Sequence, residues 1–362
     1  MEIITNQKQF LTALRTVERV VSKNVSLPIL NTVLLKTDKN RIRLSATNLE
    51  IGINYWVGAK INKEGEVAVP AKVFSDFIGN IVDEKLKINS DKNILLISSE
   101  HYETKILGMD PKDFPIIPNV KKDNKIKLAP NDLKLALLSV VDSMALSETR
   151  PELSGVFMNV GKNKVDFAAT DSFRLAEKVV GIASDFNRSF IIPRNTVLEM
   201  IRITEGVEGE MTIAVSENQL FVGSDNFELI SRLVDGRYPD YKRVIPEKFI
   251  ASARVDKREL EKNTRMAGIF ASSISDVKLS INKSGMEILA KNSDRGEVNA
   301  TLACDLKNQP FEVSVNYHYL LDGLKVMPTD SVVLEFTGDG SPLVLRGENI
   351  KDQVYVIMPL RS

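Results

Sequence analysis

Apolar residues in the middle of the chain change from the spacing of a strand to the spacing of a helix within one short stretch. This stretch, 190–201, reads FIIPRNTVLEMI. Its first residues are apolar and run into Pro193, which favours a strand that stops there. Beyond the proline, Val197, Met200 and Ile201 recur at helical spacing and share one face. The pattern predicts a short strand, a break and an amphipathic helix.

The same pattern occurs twice more. EVAVPAKVFSDFI begins at Glu66, and EVSVNYHYLLDGL begins at Glu312. The break residues Pro70, Pro193 and Asn316 follow one another at steps of 123 residues. A constant step within one chain is most simply explained by a single structural unit that is used three times.

Periodicity along the rest of the chain predicts the same mixture of elements in each repeat. Helices are predicted at 9–22, 71–81, 130–144 and 256–270, and directly after Pro193 and Asn316. Strands are predicted from Met1, up to Pro70 and at 32–37, 41–46, 49–57, 85–89, 94–98, 103–107, 155–160, 164–169, 174–180, 190–193, 210–215, 219–224, 228–233, 276–281, 285–290, 297–302 and 354–360. The prediction is an α+β protein of three similar domains, 1–121, 122–247 and 248–362, each with two helices packed on antiparallel sheets. Repeats of this length favour arcs of a closed ring over a solenoid, whose repeats have about 20–45 residues.

Composition narrows the functional classes. The formal net charge is zero, which argues against nucleic-acid binding by bulk attraction but allows positive charge that is confined to one surface. Cys304 is the only cysteine, which excludes an intrachain disulfide and a cysteine metal cluster. No apolar run approaches the roughly 18 residues of a spanning helix, and the first residues begin a strand, so a cytoplasmic location is expected.

Candidate catalytic residues are few. The two histidines, His101 and His318, have no nucleophile or metal-ligand partner at a recognisable spacing, and each is interpreted as a surface or packing residue. Asp166 and Asp171 flank a strand and could act as an acid and a base, but acidic residues at strand ends are mostly turn formers. There is no phosphate-binding loop, dinucleotide fingerprint or HExxH motif. The sequence therefore gives no support to an enzyme, and we expect no cofactor and no metal.

The predicted helices carry many basic residues. If all six helices line one surface, they would form a basic track that holds phosphates without reading bases. For any single helix, an ordinary solvated face is the simpler interpretation. The basic residues on these helices include Arg15, Arg19, Lys23, Lys72, Arg194, Arg202, Lys257, Lys262, Arg265 and Lys325.

Five motifs in order resemble one known family. They are LPIL at Leu27, ATDSFRLA at Ala168, IIPR at Ile191, DGRYPDY at Asp235 and the terminal YVIMPLRS. Together they resemble the bacterial sliding clamp, the beta subunit of DNA polymerase III, over the whole chain. The resemblance implies the DNA clamp fold and a head-to-tail homodimer that forms a ring of six domains. Such a ring surrounds double-stranded DNA without sequence preference, has no catalytic activity, and acts as a processivity factor for the replicative polymerase.

The resemblance also implies roles for particular residues. Partner proteins, including the polymerase and the clamp loader, would insert a linear peptide into a groove between the second and third domains. The groove would be formed by Leu153, Thr170, Ser172, Phe173, Arg174, Leu175, Pro239, Arg243, Val244, Val356, Met358, Pro359, Leu360 and Arg361. The DNA-contacting residues would include Lys23, Asn24, Arg150, Arg15, Arg19, Arg194, Lys257 and Arg265. The dimer interface would place Thr104 and Ile106 against Ile269 and Phe270 of the other copy. Phe173 departs from the family, which often has histidine there.

Two other functional classes stay open at this point. One is an intracellular scaffold that binds peptides but never surrounds DNA. The other is an enzyme that uses Asp166 and Asp171. Retention on circular DNA separates a clamp from a scaffold, because a clamp is released when the circle is cut.

Overall fold

The computed structural model describes residues 1–21, 26–147, 149–184 and 186–360, which form helices and antiparallel strands. The first half contains β1 Glu2–Asn6, α1 Gln7–Glu18, β2 Thr32–Asp38, β3 Arg41–Thr47, β4 Ile51–Lys63, β5 Glu66–Pro70, α2 Ala71–Asn80, β6 Lys85–Asp91, β7 Ile94–Ser98, β8 Glu103–Leu107, β9 Lys125–Leu128, α3 Pro130–Val140, β10 Gly155–Val160, β11 Lys164–Thr170 and β12 Arg174–Gly181. The second half contains β13 Arg188–Pro193, α4 Arg194–Ile203, β14 Met211–Ser216, β15 Gln219–Gly223, β16 Phe227–Arg232, β17 Ala251–Asp256, α5 Lys257–Gly268, β18 Asp276–Asn282, β19 Gly285–Asn292, β20 Gly296–Leu302, β21 Cys304–Asn308, β22 Phe311–Asn316, α6 Tyr317–Val326, β23 Ser331–Phe336, β24 Leu343–Gly347 and β25 Gln353–Ile357.

The chain folds as two compact units, and the first consists of Met1–Pro130 and Ile203–Leu233. Its twelve strands form one antiparallel sheet that ends at β8 on one side and at β9 on the other. Helix α1 begins where the Asn6 side chain accepts a hydrogen bond from the Gln9 amide, a typical N-cap. The apolar face of α1 is buried, and Phe10 meets Phe74 of α2 edge to face at 5.7 Å between ring centroids. These contacts hold the two helices together.

The second unit consists of Asn131–Arg202 and Val234–Ser362. It has a nine-stranded antiparallel sheet, ordered β13-β10-β11-β12-β25-β24-β23-β17-β21, and a four-stranded sheet, ordered β20-β19-β18-β22. Helices α5 and α6 pack closely at Gly268, where an added Cβ would lie 2.5 Å from the Tyr317 ring. Only a residue without a side chain allows this approach.

Long-range strand pairs hold each unit together. In the first unit β4 pairs with β16, and in the second unit β12 pairs with β25, so each pair joins segments far apart in sequence. The two pairs are related by the sequence repeat, because β4 and β12 occupy equivalent places in successive repeats. The strands β8 and β20 each end a sheet and have one unpaired edge in the chain that the structure describes.

Most predicted elements are present with small shifts, and several strands were not predicted. Helix α1 spans Gln7–Glu18 instead of 9–22, and the end of the predicted helix at 130–144 is a separate 3₁₀ turn, Val141–Ser143. The strands that sequence analysis did not predict are β9, β17, β21, β23 and β24. Residues 114–118, between β8 and β9, have no regular structure, but Phe114 packs in an apolar cluster that anchors them. The three domain boundaries remain a prediction.

The helices are short, and α1 and α5 have only 12 residues each. Within the described residues, no helix has the length and apolar character that crossing a membrane requires.

Candidate functional site

A tight turn between β11 and β12 organises a surface cavity of the second unit. The Thr170 hydroxyl donates to the Arg174 carbonyl at 2.6 Å and accepts from the Ser172 amide at 3.1 Å. The Asp171 Oδ1 accepts from the amides of Phe173 and Arg174 at 2.9 and 3.0 Å. Ser172 has a φ of 77°, a left-handed conformation that such side-chain bonds help to hold. The motif ATDSFRLA thus encodes a fixed turn.

Arg174 connects this turn to helix α6. Its Nε donates to Asp171 Oδ2 at 3.0 Å, and its Nη1 bonds the Asp322 carboxylate on α6. The guanidinium carbon also lies 4.6 Å from the centroid of the Tyr319 ring. Burial raises the pKa of the neighbouring Tyr355 to about 12, so this hydroxyl stays protonated. Only 12% of the Arg174 side chain is exposed, and its contacts hold it in place between the turn and α6.

A cavity of about 260 Å³ lies against this turn. Leu175 and Val356 are directly opposite each other in the β12–β25 pair and both face it. Its full lining consists of Arg150, Leu153, Thr170, Ser172, Arg174, Leu175, Pro239, Asp240, Tyr241, Val244, Val356 and Met358. A mainly apolar cavity with a few polar groups can take an apolar side chain and fix its direction.

Aromatic rings support the cavity. Phe157 stacks on Tyr238 at 4.8 Å and meets Tyr241 edge to face at 5.8 Å. Both tyrosines are nearly inaccessible, and burial raises the pKa of each above its ordinary value. The DGRYPDY motif therefore supplies packing as well as the exposed Pro239.

The two aspartates considered for catalysis are engaged elsewhere. Asp166 is 2% exposed, accepts from Lys164 Nζ at 3.1 Å, and lies 3.7 Å from Lys242 Nζ. Lys242 also bonds Glu177. Asp171 accepts the three hydrogen bonds of the turn. Both carboxylates have hydrogen-bond or ion-pair partners of their own, and the structure adds no support to the alternative of an enzyme that uses this pair.

The C-terminal segment forms one wall of the cavity. The Met358 amide donates to the Phe173 carbonyl at 2.9 Å, and the Leu360 amide donates to the Ser314 carbonyl at 2.8 Å. A second, more open hollow of about 680 Å³ lies on the other side of this segment and is lined by Met358, Pro359 and Leu360. Met358 faces both spaces and separates them.

The structure brings most of the predicted groove residues together. Phe173 and Arg243 do not line the cavity: Phe173 is 59% exposed at the turn, and Arg243 pairs with Asp240. Arg361 lies outside the described residues. Sequence analysis missed Asp240 and Tyr241, although both belong to the DGRYPDY motif. The predicted groove residues that line the cavity are Leu153, Thr170, Ser172, Arg174, Leu175, Pro239, Val244, Val356 and Met358.

Arg150 occupies a place that sequence analysis did not predict. It lines the cavity, with its Nη1 3.4 Å from the Ser172 hydroxyl and its Nε 3.0 Å from Glu152 Oε1, and its predicted contact with DNA stays a prediction. Its guanidinium is therefore part of the polar rim of the cavity.

The other predicted DNA contacts lie on helices or outside the described residues. Lys23 and Asn24 belong to the second group. Arg15 and Arg19 are exposed at the end of α1, and Arg194 is the first residue of α4.

Two predicted DNA contacts on α5 already have partners. Lys257 donates from Nζ to the Met327 carbonyl at 2.7 Å, which uses part of its hydrogen-bonding capacity. Arg265 bonds Glu261 one turn earlier.

The predicted interface residues differ in accessibility. Thr104 is partly exposed on the edge strand β8, whereas Ile106 is only 6% exposed because its side chain faces the core of its own unit. Ile269 is 62% exposed just after α5, and Phe270 follows it partly buried.

His101 has a partner that sequence analysis did not find. Its Nδ1 lies 2.7 Å from Asp83 Oδ1, and its amide donates to Asp83 Oδ2 at 3.0 Å. These bonds, together with one from Ser99, lower the pKa of Asp83 to about 2, and the carboxylate raises the pKa of His101. Glu100 lies nearby, and the ligand atoms of the three residues are within 4.8 Å of one another. The hydrogen bonds account for the cluster.

Comparison with protein families gives matches along nearly the whole chain. Residues 1–118 match the N-terminal domain of the DNA polymerase III beta subunit. Residues 127–240 match its central domain, and residues 242–361 match its C-terminal domain.

Individual relatives agree with these matches. The beta sliding clamp of Staphylococcus aureus is 28% identical over 375 residues that cover 100% of both chains. The sliding clamp of Pseudomonas aeruginosa, solved with griselimycin bound, superposes with a TM-score of 0.96 and 25% identity over 100% of both chains. The fold is also that of the Bacillus subtilis clamp, with a TM-score of 0.95 and 24% identity over 100% of this chain and 99% of that one.

Proposed function

The chain belongs to the DNA polymerase III beta subunit family and is a sliding clamp, and we propose that two copies close head to tail into a ring around duplex DNA in the cytoplasm. Clamps of this family are non-catalytic processivity factors. The observation that carries the ring is the pair of open edges on β8 and β20.

The internal repeat indicates how these edges meet. The strand pairs β4–β16 and β12–β25 join one repeat to the next, and β20 is the third strand of the β4 and β12 series. Its partner would be the last strand of the first repeat, β8, taken from a second copy. Ile53 lies opposite Leu229, and Ala176 lies opposite Tyr355. Thr104 pairs with Ile97 in the β7–β8 hairpin as Leu229 pairs with Val222 in the β15–β16 hairpin, so Thr104 is the counterpart of Leu229. By this register Asn299 would lie opposite Thr104 of the partner subunit.

A disulfide tests this register. In a Cys304→Ser background, Thr104→Cys with Asn299→Cys should give a covalent dimer under mild oxidation, because directly opposed strand residues are close enough for a disulfide. The matched control, Thr104→Cys with Thr301→Cys, shifts the pair by two residues and should crosslink far less. A monomer with both thiols intact would refute the interface. A ring that is loaded on nicked circular DNA and then crosslinked should stay bound until the DNA is cut.

Contacts with DNA would be sequence-independent and made by exposed basic residues of the helices. Arg15 on α1 lies beside Gly79 of α2, where an added Cβ would be 3.3 Å from Arg15 Nη2. Arg15 has no acidic partner among the described residues, so its charge is available to phosphates. A ring retains DNA by topology, so weak contacts suffice and their affinity should fall with rising salt.

The cavity beside the Thr170–Arg174 turn would hold a linear peptide of the replicative polymerase or the clamp loader. Leu153, Leu175 and Val356 supply apolar surface, while Arg150 and Thr170 supply polar groups at the rim. Buried apolar anchors provide affinity, and the rim fixes the direction of the peptide.

Met358→Ala combined with Leu360→Ala should abolish binding of a synthetic peptide from the clamp-binding segment of the polymerase, because Met358 lines both spaces and Leu360 lines the second. Calorimetry measures the affinity, and sedimentation shows whether the dimer is intact. Val82→Ala, at a residue that is 82% exposed elsewhere, is the control. Unchanged peptide affinity in the double variant would contradict the proposal.

A further inference from the structure

The first unit contains a second copy of the turn that organises the cavity. The Thr47 hydroxyl donates to the Ile51 carbonyl at 2.9 Å and accepts from the Leu49 amide at 3.1 Å. Leu49 has a φ of 75°, almost the same as that of Ser172, which stands 123 residues further along. A leucine in this left-handed conformation is held at a cost. The repeat has therefore kept the turn even where its sequence is less suited to it.

The remaining bonds of the turn are also repeated. Asn48 Oδ1 accepts from the amides of Glu50 and Ile51 at 3.0 and 2.8 Å, in the role that Asp171 has in the second unit. The Arg232 amide donates to the Glu50 carbonyl at 3.1 Å. In the second unit the Met358 amide does the same to Phe173. In each unit, a backbone hydrogen bond therefore ties the turn to a segment that lines a cavity.

A cavity of about 260 Å³, equal in volume to the first, lies against this turn. Ile117 packs against Gly52 on the inner side of the cavity. A Cβ added to Gly52 would lie 2.8 Å from Ile117 Cγ2. Ile116 is 93% exposed and Leu49 is 50% exposed, so the apolar rim is uncovered. The lining consists of Thr47, Leu49, Glu50, Ile51, Gly52, Pro115, Ile116, Pro118, Gln219, Ile230, Ser231 and Arg232.

The chemistry of the second cavity differs at two positions. Arg232 stands where the first cavity has Met358, and its guanidinium has no side-chain partner among the described residues. Ile51 stands where the first cavity has Arg174, and it is only 3% exposed. Arg232 therefore adds a positive charge to the lining of the second cavity, where it can meet an anionic group of a ligand. Glu50, in the turn itself, also lines the cavity and would repel a second anion.

We propose that this cavity, bounded by Leu49, Ile116, Ile230 and Arg232, is a second peptide-binding site. It would take a short segment of a partner protein that has one apolar side chain next to an acidic residue. The apolar side chain enters between Leu49 and Ile116, and the carboxylate pairs with Arg232. The site is separate from the cavity of the proposed function and does not depend on it.

The test uses the full-length protein with ¹³C-labelled methyl groups of isoleucine and methionine. The probes are the blocked peptides acetyl-Ala-Leu-Asp-Ala-amide and acetyl-Ala-Leu-Asn-Ala-amide. The aspartate peptide should shift the methyl signals of Ile116 and Ile230 saturably. The asparagine peptide should bind about threefold more weakly, the effect of one exposed ion pair. Met358 reports separately on the first cavity.

Two variants isolate the contacts. Arg232→Gln should remove the difference between the two peptides, and Arg258→Gln, an exposed arginine on α5, should leave it unchanged. Ile116→Asp should abolish the response of Ile230 without unfolding the chain, because Ile116 is almost fully exposed. Shifts at Met358 without shifts at Ile116 would overturn the second site and leave the first intact. Absence of shifts at both would overturn the second site as well.

Discussion

Replacing Asp171 tests whether side-chain hydrogen bonds hold the turn that shapes the first cavity. Its carboxylate accepts from the Phe173 and Arg174 amides and from the Arg174 guanidinium. A hydrogen bond to a charged acceptor contributes about 1.5–3 kcal/mol. Because the Asp171 side chain is 16% exposed, the lower value applies. Losing both amide bonds in Asp171→Ala should therefore cost about 3 kcal/mol of local stability, and the lost pairing with Arg174 adds about 1 kcal/mol.

Asp171→Asn separates these bonds from the charge. Asparagine keeps Oδ1 for both amides and loses only the pairing with Arg174, which still bonds Asp322. This variant should lose about 1 kcal/mol. The equivalent turn of the first unit shows that a side-chain amide oxygen can accept both backbone bonds. There Asn48 Oδ1 accepts from the amides of Glu50 and Ile51, and Ile51 stands in the place of Arg174.

Hydrogen exchange followed by mass spectrometry measures the effect on a segment that contains Phe173 and Arg174. Exchange should accelerate more than a hundredfold in Asp171→Ala and about fivefold in Asp171→Asn. Asn48→Ala is the control and should accelerate exchange only near Leu49. Equal acceleration in both Asp171 variants would show that the charge, not the amide bonds, holds the turn. No acceleration in Asp171→Ala would refute the reasoning.

Two further predictions concern stability and titration. Gly323→Ala should destabilise the second unit by about 1–3 kcal/mol, because the new Cβ would lie 2.7 Å from Tyr355 Cδ1 and 2.9 Å from Leu345 Cδ2. Thermal denaturation measures the loss, and Gly181→Ala is the control, because nothing lies within 4 Å of a Cβ added there. Asp83→Asn should return the raised pKa of His101 toward 6.5 by NMR titration, and an unchanged pKa would show that the contact is not made in solution. In the native chain the contribution of His101 to stability is complete below pH 6.5 and is lost as the pH rises through its raised pKa. The contribution of Asp83 to stability is complete above pH 3.8 and is lost as the pH falls through about 2.

Elements with strong periodicity could be predicted from the sequence, and weak or polar ones could not. Strands β11 and β12 agree with the prediction to within one residue because apolar residues fill them. Strand β21, Cys304–Asn308, is a short sheet edge with no fully buried position, so its brief alternation of apolar and polar residues is a weak signal. The start of α1 was missed although Asn6 and Gln9 form a recognisable capping pair. Strand β23 does alternate between buried and partly buried positions, so its signal was present but not used.

The site was predictable only in part, for a related reason. Leu175 and Val356 come together because β12 and β25 pair across a large sequence separation, which periodicity does not encode. The resemblance supplied that information for most lining residues. It did not include Arg150 in the cavity, because that position depends on contacts with Ser172 and Glu152 that the local sequence does not specify.

The two unlike open edges have a consequence for how the proposed ring comes apart. Joining β8 of each copy to β20 of the other creates two identical seams, so every seam residue is present twice. Separating the copies breaks both seams, whereas opening the ring breaks only one. A substitution that weakens a seam by about 1.4 kcal/mol should therefore change the dissociation equilibrium about a hundredfold but the opening equilibrium only about tenfold. The effect of the same substitution on loading onto DNA, tenfold or a hundredfold, would then show whether DNA enters through one opened seam or through complete separation of the copies.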